Sequence, residues 1–188
     1  TSFLTQDPSL DLETAKRVQE ALLSIPPPES DRIDIVKRCI PASTLGGDFY
    51  TFVNKAINPI SKKTDQKGII QLLDKPETLL GITIGDVAGH GVSSALVMAL
   101  TSGILNRIGF NNKSPALILK RANSDIQKFI SHSHISHVTA FYSIINLDNL
   151  TLKYSSAGHP PGILIRKDLS HQLLATNGVF LGMFPNED

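Results

Sequence analysis

The sequence predicts an α+β domain in which sheets and helices form separate layers. Three observations predict it. One amphipathic helical pattern opens the chain, period-two apolar runs occupy most of the remainder, and two helical patterns stand together between them. At 188 residues the chain is about one domain and long enough to bury a core.

The first helix opens at Asp7 followed by Pro8, a cap and then a first-turn proline. Leu10, Ala15, Val18, Ala21 and Leu22 recur at roughly helical spacing, and "IPPPES" stops the pattern because proline cannot continue it. From Arg32 the pattern becomes strand-like: "RIDIVKRCI" and "DFYTFV" read as strands separated by the turn "PASTLGG". Cys39, the single cysteine, reads as a core residue of the first of these strands and excludes an internal disulfide. The segment from Asn54 to Pro76 is polar and lysine-rich at its start, which predicts a long exposed hairpin loop, with "IIQLLD" as a strand inside it. "TLLGITIGDV" is apolar enough to predict a strand buried on both faces.

A glycine corner follows, and then Val92, Leu96, Ala99, Leu100, Gly103, Ile104 and Ile108 trace one face of a second helix. Ser114 as cap and Pro115 at the first position open a third. "VTAFYSIINL", a turn at Asp148 and Asn149, and "LTLKYSSAG" predict a hairpin, and "GILIRK" and "HQLLAT" predict two more strands.

Lys and Arg number 18 against 17 Asp and Glu, a net charge of +1 that carries no footprint for nucleic acid or anionic membrane. No run approaches the ~18 apolar residues of a membrane span, and the polar N-terminal stretch lacks a signal-peptide pattern. The expectation is a cytoplasmic protein with a protein or small-molecule partner.

The chemistry gathers at "GITIGDVAGHGVSSAL", where Asp86 ends an apolar strand and glycines lead into a helix N-terminus that favours anions. A carboxylate beside an anion site is a conflict that a hard divalent cation between them would resolve, with Asp86 and backbone carbonyls as ligands. Asp48, in "LGGDFY", stands in an analogous setting and would share the same cluster. From the residues alone, either aspartate reads more often as a turn or cap residue than as a metal ligand. The spacing of a G-x-S-x-G nucleophile elbow is absent from "GHGVS". His132, His134 and His137 suggest zinc by spacing but lack a fourth ligand, so a solvated loop is the expectation.

"LGGDFYTF", "GITIGDVAGHGVSSALVMAL", "HVTAFYSIINLDNLTLKYSSAGHPPGILI" and "NGVFLGMF" occur in the order and approximate spacing of the SpoIIE/RsbU-like PPM phosphatases, which the chain resembles along nearly its whole length. The helix and proline-rich turn "AKRVQEALLSIPPPE" also resemble the segment leading into that domain. The resemblance implies a four-layer α-β-β-α sandwich, a two-ion Mn²⁺ or Mg²⁺ centre, and hydrolysis of phosphoserine or phosphothreonine on a protein by two-metal activation of water. By resemblance, Asp86 bridges both metals, the backbone carbonyl of Val87 is a ligand beside it, and Asp48 belongs to the same cluster. Gly47, Gly89, His90 and Gly91 shape the surrounding turns, with His90 a candidate donor or proton carrier, and Thr139 supports the site from a neighbouring strand. Gly158, His159, Pro160 and Pro161 resemble the family's AGHPP turn and read as structural.

Two departures stand out. Thr51 replaces a frequent second acid, and the TDG motif with a later aspartate, both metal ligands in the family, has no counterpart before Asp188. The expectation is therefore a C-terminally incomplete phosphatase domain over 29–188, preceded by a helical linker over 1–28, with reduced metal occupancy. The implied partners are a phosphorylated STAS-domain anti-anti-sigma protein and an upstream sensor or dimerisation segment, with homodimerisation an expectation. The alternative is a catalytically inactive phosphatase-like module that binds a phosphoprotein.

Overall fold

A computed structural model of the protein describes residues 8–57, 62–64, 70–72, 77–109, 113–131 and 134–186. Along these run α1 (Pro8–Ser24), β1 (Phe49–Ile57), β2 (Lys62–Thr64), β3 (Ile70–Leu72), β4 (Glu77–Val87), α2 (Val92–Gly109), α3 (Pro115–Ile130), β5 (Val138–Asn146), β6 (Thr151–Ala157), β7 (Gly162–Ile165) and β8 (His171–Leu174). β1, β4, β5 and β6 form one antiparallel sheet in the order β1-β4-β5-β6, while β2–β3 and β7–β8 are separate two-stranded hairpins.

The period of two along a strand decides what each face does. Phe49 and Val53 of β1, Leu79 and Val87 of β4, and Val138, Ala140, Tyr142 and Ile144 of β5 are buried under α2 and α3, with Ile104, Leu105, Ile118 and Ile126 as the helical side of that core. Tyr142 is so enclosed that burial pushes its phenol up to about 12. The other face carries Tyr50, Phe52, Ile82, Ile84 and Phe141, with Phe141 stacked on Tyr154 at 5.7 Å. Gly162, at the start of the β7–β8 hairpin, lies beside the Phe141 ring on this face, while Ile163, Ile165 and Leu173 of the hairpin are exposed.

α3 opens as its residues dictate, Ser114 Oγ accepting from Leu117 N with Pro115 at the first turn. The β5–β6 turn is held by Asn146 Oδ1, which accepts from the amides of Asp148 and Asn149. Asp7, the expected cap of α1, lies outside the described residues, as does His132 of the three spaced histidines.

Several expectations change. Residues 32–40 pair with no strand; their exposure alternates as a strand's would, but the segment lies along α1, where Lys37 Nζ donates to the carbonyls of Leu23 and Ile25. Cys39 is accordingly half-buried outside the sheet. β4 is buried along its helix face but only in part on the other, where Leu80 is buried, Ile82 is half-buried and Ile84 is 50% exposed. α1 does not bury the face its spacing suggests: Leu10 and Val18 are exposed, while the polar Gln19 is buried. α2 turns Ser94, Val97, Met98, Thr101, Ile104, Leu105 and Ile108 inward and leaves Val92 and Leu96 outside. By length and apolarity α2 would qualify as a membrane-crossing helix, and its apolarity serves packing between sheet and α3. Within the expected loop from Asn54 to Pro76, β1 continues to Ile57 and a short β2–β3 hairpin follows.

Candidate functional site

β1 and β4 bring the two acids together. Phe49 pairs with Gly85, so Asp48 stands one residue before β1 at the end where Asp86 and Val87 close β4. The link is made directly, Val87 N donating to Gly47 O at 3.3 Å. Gly47 is required there because a Cβ would lie 2.5 Å from Val87 O and 3.0 Å from Asp86 Oδ1. The same measurement puts the Val87 carbonyl oxygen and the Asp86 carboxylate on the side of the Gly47–Asp48 loop.

Partial burial raises the proton affinity of Asp86 first, and the charge of Asp48 and a hydrogen bond between the two carboxyls raise it further, against the opposing pull of His159 and His137. Two neighbouring acids with no Lys or Arg ion-paired to either among the described residues form a site with unsatisfied negative charge. The available donors are carboxylate and carbonyl oxygens, a set suited to a hard divalent cation such as Mg²⁺ or Mn²⁺. Among the described residues no group of three His, Cys, Asp or Glu side chains assembles, so the pair fits part of a two-metal ligand set.

After Val87 the chain turns through Gly89 (φ 98°) and Gly91 (φ 77°), both in the left-handed region that glycine adopts without strain. Gly91 O accepts from Ala95 N and from Ser94 Oγ, which starts α2. Gly89 and His90 border a cleft of about 200 Å³ that Gln19, Cys39, Gly47, Asp48 and Asp86 also line. The Cys39 thiol is pushed up by burial and then by the charge of Asp48. Thr139 is the register partner of Asp86, its Oγ1 lying 3.3 Å from Asp86 O and 2.8 Å from His159 Nδ1.

Of the residues singled out in the sequence, Asp48, Asp86, Val87, Gly47 and Thr139 come together around one strand end, and Gly89, His90 and Gly91 form the turn beside them. Thr51 stands on the helix face opposite Thr83, away from the acids. His137 packs against Phe180 with ring centroids 4.3 Å apart and the planes tilted by 34°. Two site neighbours were not anticipated. His159, read as part of a structural turn, lies in the field of both aspartates; burial lowers its proton affinity and the two carboxylates partly restore it. Gln19, which shares a face of α1 with Leu12, Ala15, Leu22 and Leu23, clamps the Gly46 peptide, donating to Gly46 O at 2.8 Å and accepting from Gly46 N at 3.0 Å. The signal for His159 is its place just past β6, where Gly158 bridges back to Ala140 of β5.

Comparison with known proteins gives the family and the fold. The family model Stage II sporulation protein E (SpoIIE) matches residues 76–188. Phosphoserine phosphatase RsbU of Bacillus subtilis (strain 168) is 27% identical over 186 residues, covering 98% of this chain and 49% of RsbU. Phosphoserine phosphatase RsbP of the same organism is 27% identical over 176 residues, 93% of this chain and 38% of RsbP. The chain thus spans half the length of these relatives or less. Among solved structures, the SiaA-PP2C domain of Pseudomonas aeruginosa matches with a TM-score of 0.61 at 20% identity, over 94% of this chain and 63% of that one. The RsbU and RsbW domains of Rv1364c from Mycobacterium tuberculosis match with a TM-score of 0.55 at 21% identity, over 76% and 34%. At these identities the structural likeness is one of fold, and the fold is that of a PP2C phosphatase domain. With a family model matched across more than half its residues, from the start of β4 onward, the chain belongs to the SpoIIE family.

Proposed function

We propose that this chain is the catalytic domain of a metal-dependent phosphoserine/phosphothreonine protein phosphatase in bacterial signalling. The observation that carries the reading is the apposition of Asp48 and Asp86 at neighbouring strand ends, each lacking a basic partner among the described residues and together raising the proton affinity of Asp86. In this reading the carboxylates of Asp86 and Asp48 would hold the cations, and the Val87 carbonyl, which lies on the side of the Gly47 loop with Asp86, would add a neutral oxygen. Mn²⁺ or Mg²⁺ at this pair would supply charge stabilisation on the phosphoryl group and an acidified water. Gly47 keeps the loop close to Val87, the Gly89–Gly91 turn sets the start of α2 beside the acids, and Thr139 holds the Asp86 main chain.

Relatives named phosphoserine phosphatase support the substrate class. A phosphorylated STAS-domain protein is the substrate we propose, with its dephosphorylation releasing a sigma factor by partner switching in the cytoplasm. Residues 1–28 are proposed as a helical linker to an upstream sensor or to a second copy of the chain, a role to which the exposed Leu10, Leu12, Val18 and Leu22 of α1 are suited. Residues 29–188 are then the phosphatase domain. The deciding experiment is incubation with a phosphoserine STAS-domain protein and Mn²⁺. Phosphate release abolished by a chelator is expected, and release that persists with metal removed would refute the reading.

The limited ligand set among the described residues favours a second reading, a phosphoprotein-binding module without turnover. Phosphorylation-dependent binding of the same STAS protein, with no phosphate released, would select it.

A further inference from the structure

Residues 33–40 carry the side-chain alternation of a strand without a ladder. Ile33, Ile35, Lys37 and Cys39 are half-buried, whereas Asp34, Val36, Arg38 and Ile40 face solvent. Among the described residues, the main chain of this segment makes no hydrogen bond to any other main chain. A row of N–H and C=O groups left without a ladder is a template for another strand. The solvent face adds a second feature. Val36 is 96% exposed, the highest value among the large apolar side chains described, and Ile40 is 68% exposed. Neither Asp34 nor Arg38 is ion-paired among the described residues.

The segment is complementary to its own reversed copy. Two identical antiparallel strands in one sheet are related by a two-fold axis that passes through a residue and keeps the solvent-facing side chains of both copies on one face. An axis at Val36 sets Val36 against the partner's Val36 and Asp34 against the partner's Arg38, the charge pair occurring twice by symmetry. Axes at Asp34, Lys37 or Arg38 each set a charge against its own copy, and an axis at Ile35 sets Arg32 against the partner's Arg38. Like charges directly opposite destabilise a strand pair. Of the centres from Asp34 to Arg38, Val36 alone joins opposite charges and opposes no like ones.

We propose that residues 33–40 form a two-stranded antiparallel ladder with the same segment of a second copy of this chain, about a two-fold axis at Val36. The inference is independent of the phosphatase reading and of the role proposed for α1. The axis covers the two Val36 side chains with each other and gives Asp34 and Arg38 the partners they lack. Cys39 and Pro41 line the acid-pair cleft, so the ladder ends beside that cleft in both copies.

A two-stranded ladder is a small interface of the weak class, so self-association of the full chain is measured by sedimentation equilibrium from about 5 to 500 µM. Arg38→Asp sets acid against acid at two places and Asp34→Arg sets base against base, and each is expected to weaken association about 10-fold or more. Combining the two substitutions restores both pairs and is expected to return association to within about 3-fold of the unaltered chain. These positions are exposed, and each variant is first matched for circular dichroism and thermal unfolding. Disulfide capture then reads the register. In a Cys39→Ser background, Val36→Cys is expected to cross-link under mild oxidation, since facing residues lie about 5 Å apart between Cα atoms. Asp34→Cys in the same background is expected to give little, its two copies lying roughly 13 Å apart along the strands.

A chain that stays monomeric throughout, association unchanged by Arg38→Asp, or a combined variant no better than the single ones would overturn the proposal. Equal capture at positions 34 and 36 would overturn it as well. So would amide protection across 33–40 that does not depend on protein concentration, because it would put another segment of the same chain on this edge instead of a second copy.

Discussion

Replacing Gln19 with Ala should release α1 from the loop that carries Asp48 while leaving the sheet folded. The Gln19 side chain is 5% exposed and makes two hydrogen bonds with one peptide, at 2.8 and 3.0 Å. Each bond contributes about 1 kcal/mol net, and losing both leaves the Gly46 N–H and C=O without those partners, so the combined cost is about 2 kcal/mol. Beyond this clamp Leu10 and Val18 are exposed, and the helix is held near its C-terminal end, by Leu23 packed against the core, by Tyr50 Oη donating to Leu23 O and by Lys37 Nζ donating to the carbonyls of Leu23 and Ile25. The loss therefore falls on local docking, and about 2 kcal/mol corresponds to a roughly 30-fold rise in the undocked population. Amide exchange across α1 and Gly46 is the assay, with β4 and β5 as internal controls. Faster exchange confined to α1 and the 43–48 loop is expected. Protection in α1 equal to that of the unaltered protein would refute the clamp, and a uniform loss across β4 and β5 would refute its local character.

Three further outcomes follow from the same geometry. Gly47→Ala places a Cβ 2.5 Å from Val87 O and must displace the acid loop, so Mn²⁺ affinity should fall on the order of 10- to 100-fold, measured by electron paramagnetic resonance of free Mn²⁺. Thr51→Val removes a buried hydroxyl that lacks a protein partner while conserving shape, so urea unfolding should show a gain of about 0.5–1 kcal/mol. In metal-free protein the raised proton affinity of Asp86 penalises its ionised form in the fold. That penalty is fully present above the raised pKa and fades as pH falls through it toward the ordinary carboxylate value of 3.8, so stability in chelator should rise over that window. Because Asp86 stays open to water, the effect should be below about 1 kcal/mol, and it should vanish in Asp86→Asn.

What was legible in the sequence was local. Pro8 and the Ser114–Pro115 pair mark helix starts because proline and cap residues act within one turn. The Asp148–Asn149 hairpin and the Asp86 corner were legible for the same reason, as turn chemistry is written in adjacent residues. What required the fold was pairing and facing. Residues 32–40 alternate as a strand does, but a ladder needs a neighbour with free edge groups, and that segment lies along α1 instead. α2 is apolar around most of its circumference, so periodicity alone did not select Val97, Met98 and Leu105 over Val92 and Leu96. At the site, Asp48 and Asp86 announced themselves by glycines on either side, whereas Gln19 and His159 act across separations of 27 and 20 residues, and no local pattern encodes such distances.

The most direct test of the central claim is Mn²⁺-dependent phosphate release from a phosphoserine STAS-domain protein, compared between this chain and Asp86→Asn at matched folding. The account predicts a loss of ~100-fold or more, equivalent to about 3 kcal/mol of transition-state stabilisation, together with weakened Mn²⁺ binding. Equal rates of release from the two proteins would contradict it.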